Sequence, residues 1–391
     1  MRILHTSDWH IGKRIAGKER LDEQRAVLDE IADICEEEKI ELVLVAGDVF
    51  DTYLPSAEAE DLFYHAVKKI AGQERCVLII SGNHDDAVRL TAAAVIAEEQ
   101  GIYIYGEPGH VPAVFSERKV CAAEASDRHI VFKSNNEEVF VNVLPYPNET
   151  RLKEDGRNGE TYFDTLKRWI DEGESRNSRA LPSIFLSHLF VAGGRVSEGE
   201  REIDLGGARA VPLGLLPKND YIALGHLHRK QHFKNTVYYS GSILQYAFDE
   251  ANTEKSVVLF DIGTDGVKNI RERPLQEGKK LVRVVASNVP DAIALLQKYP
   301  ESYIELTIYL NEPLIPSQVQ ELKKANDGLV AILPIVRGDE KQAETAVSRK
   351  NKSSSELFKE YYASLYGELP SDQLCELFLS LTEDADEAET P

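Results

Sequence analysis

The chain has 391 residues, with 66 acidic and 45 basic side chains for a net charge of −21, 42% hydrophobic residues and 28% charged ones. That length calls for more than one core, and the balance is that of a water-soluble chain with no apolar run near the roughly 18 residues of a membrane span. The charge excludes nucleic-acid binding over the whole surface, because neutralising phosphates takes clustered Lys and Arg, so a polyanion would need a local basic groove, a metal site or a basic partner.

In chain order, Arg2 to Ser7 reads as a strand, Leu21 to Glu38 as an amphipathic helix and Glu41 to Ala46 as a strand. Ala57 to Ala71 reads as a helix, Arg75 to Ser81 as a strand and Ala87 to Glu99 as a helix. This alternation predicts a layered α/β sheet flanked by helices. Asp8 and His10 interrupt the first apolar run before a signal-peptide core can form, which places the chain in the cytoplasm. Further strand-like runs are Val139 to Leu144, Ser183 to Ser187, Tyr221 to Leu224, Val237 to Ser240 and Ser256 to Asp261. Asn148 to Gly159 reads as an exposed loop before a helix at Tyr162 to Asp171. The four cysteines, Cys35, Cys76, Cys121 and Cys375, have no paired spacing and so give neither a zinc-ribbon nor a disulfide pattern.

Around Pro274 the pattern changes to strand Leu281 to Ala286, helix Pro290 to Lys298, strand Tyr303 to Leu310, helix Pro316 to Asn326 and strand Leu329 to Val336. The expectation is a small α+β domain of β-α-β-β-α-β-like order. Residues 1–273 thus form a first domain and 274–337 a second, followed by a polar linker at 338–355. Residues 356–383 carry two short amphipathic helices. Leu357, Phe358, Tyr361, Tyr362 and Leu365 form one face, and Leu374, Leu377, Phe378 and Leu381 the other. Such short helices do not persist alone in water, so they must dock on this chain or on a partner. An acidic tail at 384–391 completes a C-terminal segment, from Glu356 onward, with ten acidic residues against one lysine.

Chemistry is carried by short motifs placed just where predicted strands end: Ser7-Asp8-Trp9-His10, Gly47-Asp48-Val49-Phe50-Asp51, Gly82-Asn83-His84-Asp85, Ser187-His188 and Gly225-His226-Leu227-His228. Ligands of open α/β sheets gather beyond the carboxyl ends of the strands, so these segments can share one cleft. Two divalent ions roughly 3.5–4 Å apart need a bridging carboxylate and several oxygen or imidazole ligands. Asp48 is the expected bridge, with Asp8, His10 and His228 completing one ion and Asn83, His188 and His226 the other. This thiolate-free set suits manganese or iron, with zinc next and magnesium last. With two carboxylates against two divalent ions the site keeps a charge of about +2, which attracts a phosphate ester. His84 follows a ligand position and is the candidate for protonating the leaving oxygen or stabilising the transition state. Taken singly, Asp8 or Asp48 reads as a turn or cap carboxylate, and His10 or His188 as a satisfied core imidazole; their joint occurrence reverses that weighting. Asp51, Asp85 and His5 stay open between support of the ligands and ordinary roles. His65, His110, His129 and His232 read as ordinary, and Trp9 as packing.

The D-x-H, GDxxD, GNHD, SH and GHxH series resembles that of the calcineurin-like metallophosphoesterases. Ser7 to Lys13, Gly47 to Thr52, and Tyr239-Ser240-Gly241-Ser242 with Phe248-Asp249-Glu250 look like the SbcD-type nuclease subunits within that family. The resemblance implies a layered β-sandwich flanked by helices, a capping domain that helps engage DNA, and C-terminal helices that bind an SbcC-type ATPase. It also implies manganese-dependent exonuclease and endonuclease action on DNA, and a homodimer within a heterotetramer. No G-x-x-x-x-G-K-[ST] segment is present, so ATP dependence must come from the partner. Protein phosphatases of the superfamily resemble this chain less, since Asp51-Thr52-Tyr53 and Asp85 stand where they carry D-R-G and a glutamate.

Overall fold

In the strand Leu42–Ala46 (β2) every residue is buried, and successive side chains enter different cores. Leu42, Leu44 and Ala46 join one apolar cluster, and Val43 and Val45 another. The period of two along a strand imposes this split, and burial on both faces requires a covering layer on each side. The computed structural model describes residues 1–115, 118–135, 137–152, 159–198, 200, 210–336, 358–359, 361–362, 369–371 and 374–375.

The first sheet contains Arg2–Thr6 (β1), β2, Cys76–Ile80 (β3), Ile102–Tyr105 (β4), Ser256–Gly263 (β12) and Gly266–Pro274 (β13). Their order across the sheet is β13-β12-β1-β2-β3-β4. β1 to β4 are mutually parallel, and β12 joins β1 antiparallel with Arg2 opposite Asp261. The second sheet comprises Val120–Ala125 (β5), His129–Ser134 (β6), Glu137–Leu144 (β7), Ser183–His188 (β8), Tyr221–Gly225 (β9), Gln231–Phe233 (β10) and Val237–Tyr239 (β11). Its order is β10-β11-β9-β8-β7-β6-β5, and β7, β8 and β9 run parallel.

Leu44, Leu78 and Tyr103 of the first sheet meet Phe132, Val141 and Leu186 of the second in one buried cluster. Outside the first sheet lie the helices Leu21–Glu37 (α1) and Ala57–Ala71 (α2), whose Val27, Ile31, Leu62 and Phe63 pack on Val43 and Val77. Outside the second, the helix Tyr162–Glu174 (α6) lays Leu166, Trp169 and Ile170 against Phe185 and Ile222. The result is a helix–sheet–sheet–helix sandwich. Ser56 caps α2 through the Ala59 N–H, and Thr161 caps α6 in a reciprocal box with Asp164, so each covering helix starts at a fixed point.

The predicted helix from Ala87 to Glu99 is two short ones, Ala87–Leu90 (α3) and Ala94–Glu98 (α4). Thr91 turns its hydroxyl onto the carbonyls of Ala87 and Val88, a local bond that competes with helix continuation. A further short helix, Glu149–Leu152 (α5), begins inside the stretch read as a loop.

Two compact units divide the chain: Met1–Arg283 with Glu301–Ile304, and Val284–Pro300 with Glu305–Pro391. Residues 275–283 belong to the first of these units. Leu275 joins the core under α1, and Glu30 accepts the N–H groups of Gln276 and Glu277. A three-stranded sheet is built from Lys280–Ala286 (β14), Ser302–Leu310 (β15) and Leu329–Val336 (β16), in that order. The helices Val289–Leu296 (α7) and Pro316–Ala325 (α8) intervene. Among the described residues this is β-α-β-α-β, the five elements expected, without the further strand of a β-α-β-β-α-β order. Asn326 closes α8 onto α7 by donating to the carbonyls of Leu296 and Tyr299. Among the described residues no helix is long and apolar enough to cross a membrane. The linker, the acidic tail and, of the residues expected on the two C-terminal helices, Leu357, Leu365, Leu377, Phe378 and Leu381 lie outside the described residues.

Candidate metal centre

Five strands deliver the site. β1, β2 and β3 end side by side and parallel, and just beyond them stand Asp8 and His10, Asp48, and Asn83 and His84. β8 ends on His188, and β9 leads into His226 and His228. Packed sheets usually stand about 10 Å apart. At this end they are pinched together, since a Cβ on Gly225 would lie 1.8 Å from the Ala46 carbonyl oxygen and one on Gly47 would lie 2.5 Å from His188 Nδ1. Glycine is required at both positions because no side chain fits.

Four of the expected ligand residues have left-handed backbone: Asp8 (φ 51), His10 (φ 44), Asp48 (φ 50) and His226 (φ 106). Such conformations cost about 1–3 kcal/mol each for non-glycine residues, and they persist only where surrounding structure over-determines them. Crossed main-chain bonds do so here. Asp8 N–H donates to Gly47 O at 3.0 Å, and His10 N–H to Asp48 O at 3.0 Å. Asp85 accepts from Val49, Phe50 and Gly82 N–H, tying the second motif to the third. Arg151 of α5 holds the third motif from behind through the carbonyls of Gly82 and Asp85. Gln24 of α1 clasps the first by donating to His10 O and accepting from Gly12 N–H.

All seven expected ligands come together, and all are buried. His10 Nε2 and His228 Nε2 are 3.0 Å apart. Asn83 Oδ1 stands 2.8 Å from His188 Nε2 and 3.1 Å from His226 Nδ1. Asp48 Oδ2 is 3.4 Å from His188 Nε2 and 3.6 Å from His10 Nε2, between the two sets. Among the described residues, three overlapping groups have ligand atoms within 4.8 Å of one another: Asp8, His10 and His228; His10, Asp48 and His84; and Asp8, Asp48 and His188.

Ring nitrogens are fixed by their outer partners. His188 Nδ1 donates to the Ala46 carbonyl at 2.8 Å and leaves Nε2 for the cluster. Burial drives the His10 imidazole down to about 3, and takes His226 well below its ordinary value, so both are neutral and able to ligate. Burial also opposes a charged His188, but the Asp48 carboxylate outweighs it and pushes the imidazole up to about 9. Asp48 itself is held well below the usual carboxylate range, burial being overcome by His188. Burial pushes Asp8 up.

The calcineurin-like phosphoesterase family matches residues 1–230. Over 99% of both chains the protein is 35% identical to SbcD, the D component of the SbcCD nuclease, of Bacillus subtilis. Over 93% of both it is 27% identical to the same component of the SbcCD nuclease of Staphylococcus epidermidis. The chain belongs to the calcineurin-like phosphoesterases, in their SbcD branch.

As a metal-dependent phosphoesterase of this family the chain is built for two divalent ions, and its donor set fits them. The Nε2 atoms of His10 and His228 face each other at 3.0 Å, and Asn83 Oδ1 stands against two more ring nitrogens, of His188 and His226, beside the buried Asp8 and Asp48 carboxylates. Crowding so many buried polar atoms together is unfavourable without a cation among them.

Several supporting residues escaped sequence reasoning. Glu200 accepts the His228 N–H at 2.7 Å and the Ser197 N–H at 2.9 Å. Tyr246 donates to the Trp9 carbonyl and lies under the His10 and His228 rings. Neither position has a spacing that a sequence pattern could flag. Of the residues left open, Asp51 faces His10 Nδ1 at 3.3 Å and pairs with Lys13 at 2.7 Å, while Asp85 holds loops. His5 lies inside the sandwich against Tyr221, and burial lowers it to about 3. Trp9 is buried packing, bonded to Thr6 Oγ1. His65, His110, His129 and His232 take no part in the cluster.

Proposed function

We propose that this protein is the nuclease subunit of a two-component DNA-processing machine, hydrolysing phosphodiester bonds at duplex ends, hairpins and single strands in repair, recombination and replication. Asp48 bridges the ions, Asp8, His10 and His228 hold the first, and Asn83, His188 and His226 hold the second. The observation that carries this reading is the convergence of those seven buried side chains from both sheets, six of them in pairs 2.8–3.6 Å apart and Asp8 with ligand atoms within 4.8 Å of those of His10, His228, Asp48 and His188. Manganese is the proposed metal, because the donors mix imidazole, carboxylate and amide without thiolate. When bound, the ions supply an activated water nucleophile and neutralise charge on the phosphate.

The chain's own residues then orient and gate. The first and second motifs fix the direction of the ligand atoms, His84 protonates the leaving oxygen or stabilises charge in the transition state, and the net charge left on the site draws in the ester. The overall −21 keeps DNA away from the rest of the surface, so productive contact is confined to the site, its capping domain at residues 274–337 and a partner.

The test is turnover of the purified full chain with manganese on hairpin DNA and on a small phosphodiester, each with and without an SbcC-type ATPase and ATP. Cleavage of the hairpin at a rate well above the small ester, raised further by the ATPase, is the expected result. Preference for the small ester would replace the DNA reading with a small-molecule one, and no cleavage of either would leave a non-catalytic scaffold.

The partner surface proposed is residues 356–383, with Leu357, Phe358, Tyr361, Tyr362, Leu365, Leu374, Leu377, Phe378 and Leu381 as its apolar contacts. Each buried side chain of that size contributes about 1.5–3 kcal/mol, enough together to offset ordering of the segment. Truncation after Arg349 is expected to abolish association with the ATPase while manganese content stays at two ions. Retained affinity in a pull-down would reject the assignment. The complex proposed is a homodimer of this chain with two ATPase chains, cytoplasmic and bound to the nucleoid when engaged on DNA.

A further inference from the structure

His228 turns Nε2 to His10 and Nδ1 the other way, toward Glu250. Glu250 Oε1 is 3.5 Å from that Nδ1, within ion-pair range but long for a hydrogen bond. Both atoms are buried, and neither has any other partner. Glu250 is 0% exposed, and its second oxygen pairs with the Lys255 ammonium, itself only 9% exposed. Lys255 also donates to the His228 carbonyl and to Ser242 Oγ, both at 2.8 Å. The His228 backbone is thus held from one side by Lys255 and from another by Glu200, and its ring is left to Glu250.

A buried ion pair is a poor source of stability, because desolvation opposes it and apolar residues of like volume commonly do as well. Its placement directly behind one imidazole calls for another explanation. We propose that Glu250, steadied by Lys255, is a positioning residue that fixes His228 in its Nδ1–H form and so presents Nε2 to the first of the two ions. This rests on the ligand assignment made above. The second ion's His188 gets the same service from the main-chain carbonyl of Ala46, which no side-chain substitution removes. The two ion sites therefore depend on different supports, and loss of Glu250 acts on one of them.

The experiment is manganese titration of the full chain and of Glu250→Gln by calorimetry, with electron paramagnetic resonance of the same samples. The wild type is expected to take two ions and show a spin-coupled pair. The variant is expected to keep one ion at wild-type affinity and to bind the other about 10–100-fold more weakly, losing the coupled signal at concentrations that saturate the wild type. Two ions bound by the variant as tightly as by the wild type would overturn the proposal. A wild type that fails to take two ions would instead count against the ligand assignment. Nitrogen-15 imidazole spectra of the zinc-loaded wild type give a reading independent of how the variant folds. The His228 signals, identified by their loss in His228→Asn, are expected to report a proton on Nδ1, and a proton on Nε2 would overturn the proposal.

Discussion

Replacing Asp48 with asparagine is expected to strip the protein of both ions and lower turnover on hairpin DNA by at least about a thousandfold, with the sandwich intact. Asp48 stands between imidazoles assigned to different ions, 3.4 Å from His188 Nε2 and 3.6 Å from His10 Nε2. Its other oxygen accepts the His84 N–H at 2.8 Å, which fixes the carboxylate against the third motif. Asparagine keeps the volume and that acceptor, so the pinch between the sheets survives. What it removes is one of the two negative charges shared by two divalent ions, together with the bridge itself. Ion-assisted stabilisation of the transition state amounts to several kcal/mol, and each 1.36 kcal/mol is a factor of ten in rate. Metal content after dialysis, turnover and urea unfolding measured on one sample check the three parts of this expectation. A variant that retains two ions and cleaves within tenfold of the wild type would remove Asp48 from its bridging place.

The site was legible in the sequence because its ligands occupy strand ends, and strand ends are marked. Val43 to Ala46 and Val77 to Ile80 are unbroken apolar runs, and Gly47 and Gly82 after them announce the turn. Convergence then followed from parallel order alone, and Asp8, Asp48 and Asn83 needed no knowledge of packing. Elements without that contrast were missed. β5 carries alanines and a glutamate at the outer edge of its sheet, so its pattern is faint, and β4 is only four residues long. The single helix read from Ala87 to Glu99 had the right periodicity, but a threonine hydroxyl in its middle bonds backward and breaks it. The role of the supports behind the ligands was illegible for a different reason, even where a motif included one of them, as Phe248-Asp249-Glu250 does. Glu200 and Glu250 lie 28 and 22 residues from His228 in opposite directions, and only the folded chain brings both to it. Periodicity finds surfaces and strand ends, whereas the partner of a ring's far nitrogen is a tertiary fact.

His84→Ala is expected to lower turnover by about 10²–10⁴ while leaving both ions bound. The side chain sits at the rim of the cluster, 8% exposed where the seven ligands are at most 3%, so it is the imidazole placed to meet a substrate entering from outside. Its Nδ1 is 2.7 Å from the Asp51 carbonyl, and since a carbonyl can only accept, that nitrogen carries a proton. The ring also stands edge-on to His10 with centroids 4.7 Å apart, and ligand atoms of His10, Asp48 and His84 lie within 4.8 Å of one another. This closeness admits a rival role as a metal ligand, and ion counting separates the two: loss of an ion from His84→Ala makes it a ligand, whereas two ions with slow turnover make it a catalytic residue. The leaving group then divides the remaining alternatives. A nitrophenyl ester departs without needing a proton, so a smaller defect on it than on DNA assigns His84 to protonating the leaving oxygen. Equal defects on both assign it to holding charge on the phosphoryl group in the transition state. Full turnover on DNA with both ions in place would leave His84 no part in the chemistry, and its bond to Asp51 would then serve only to close the loop behind the second motif.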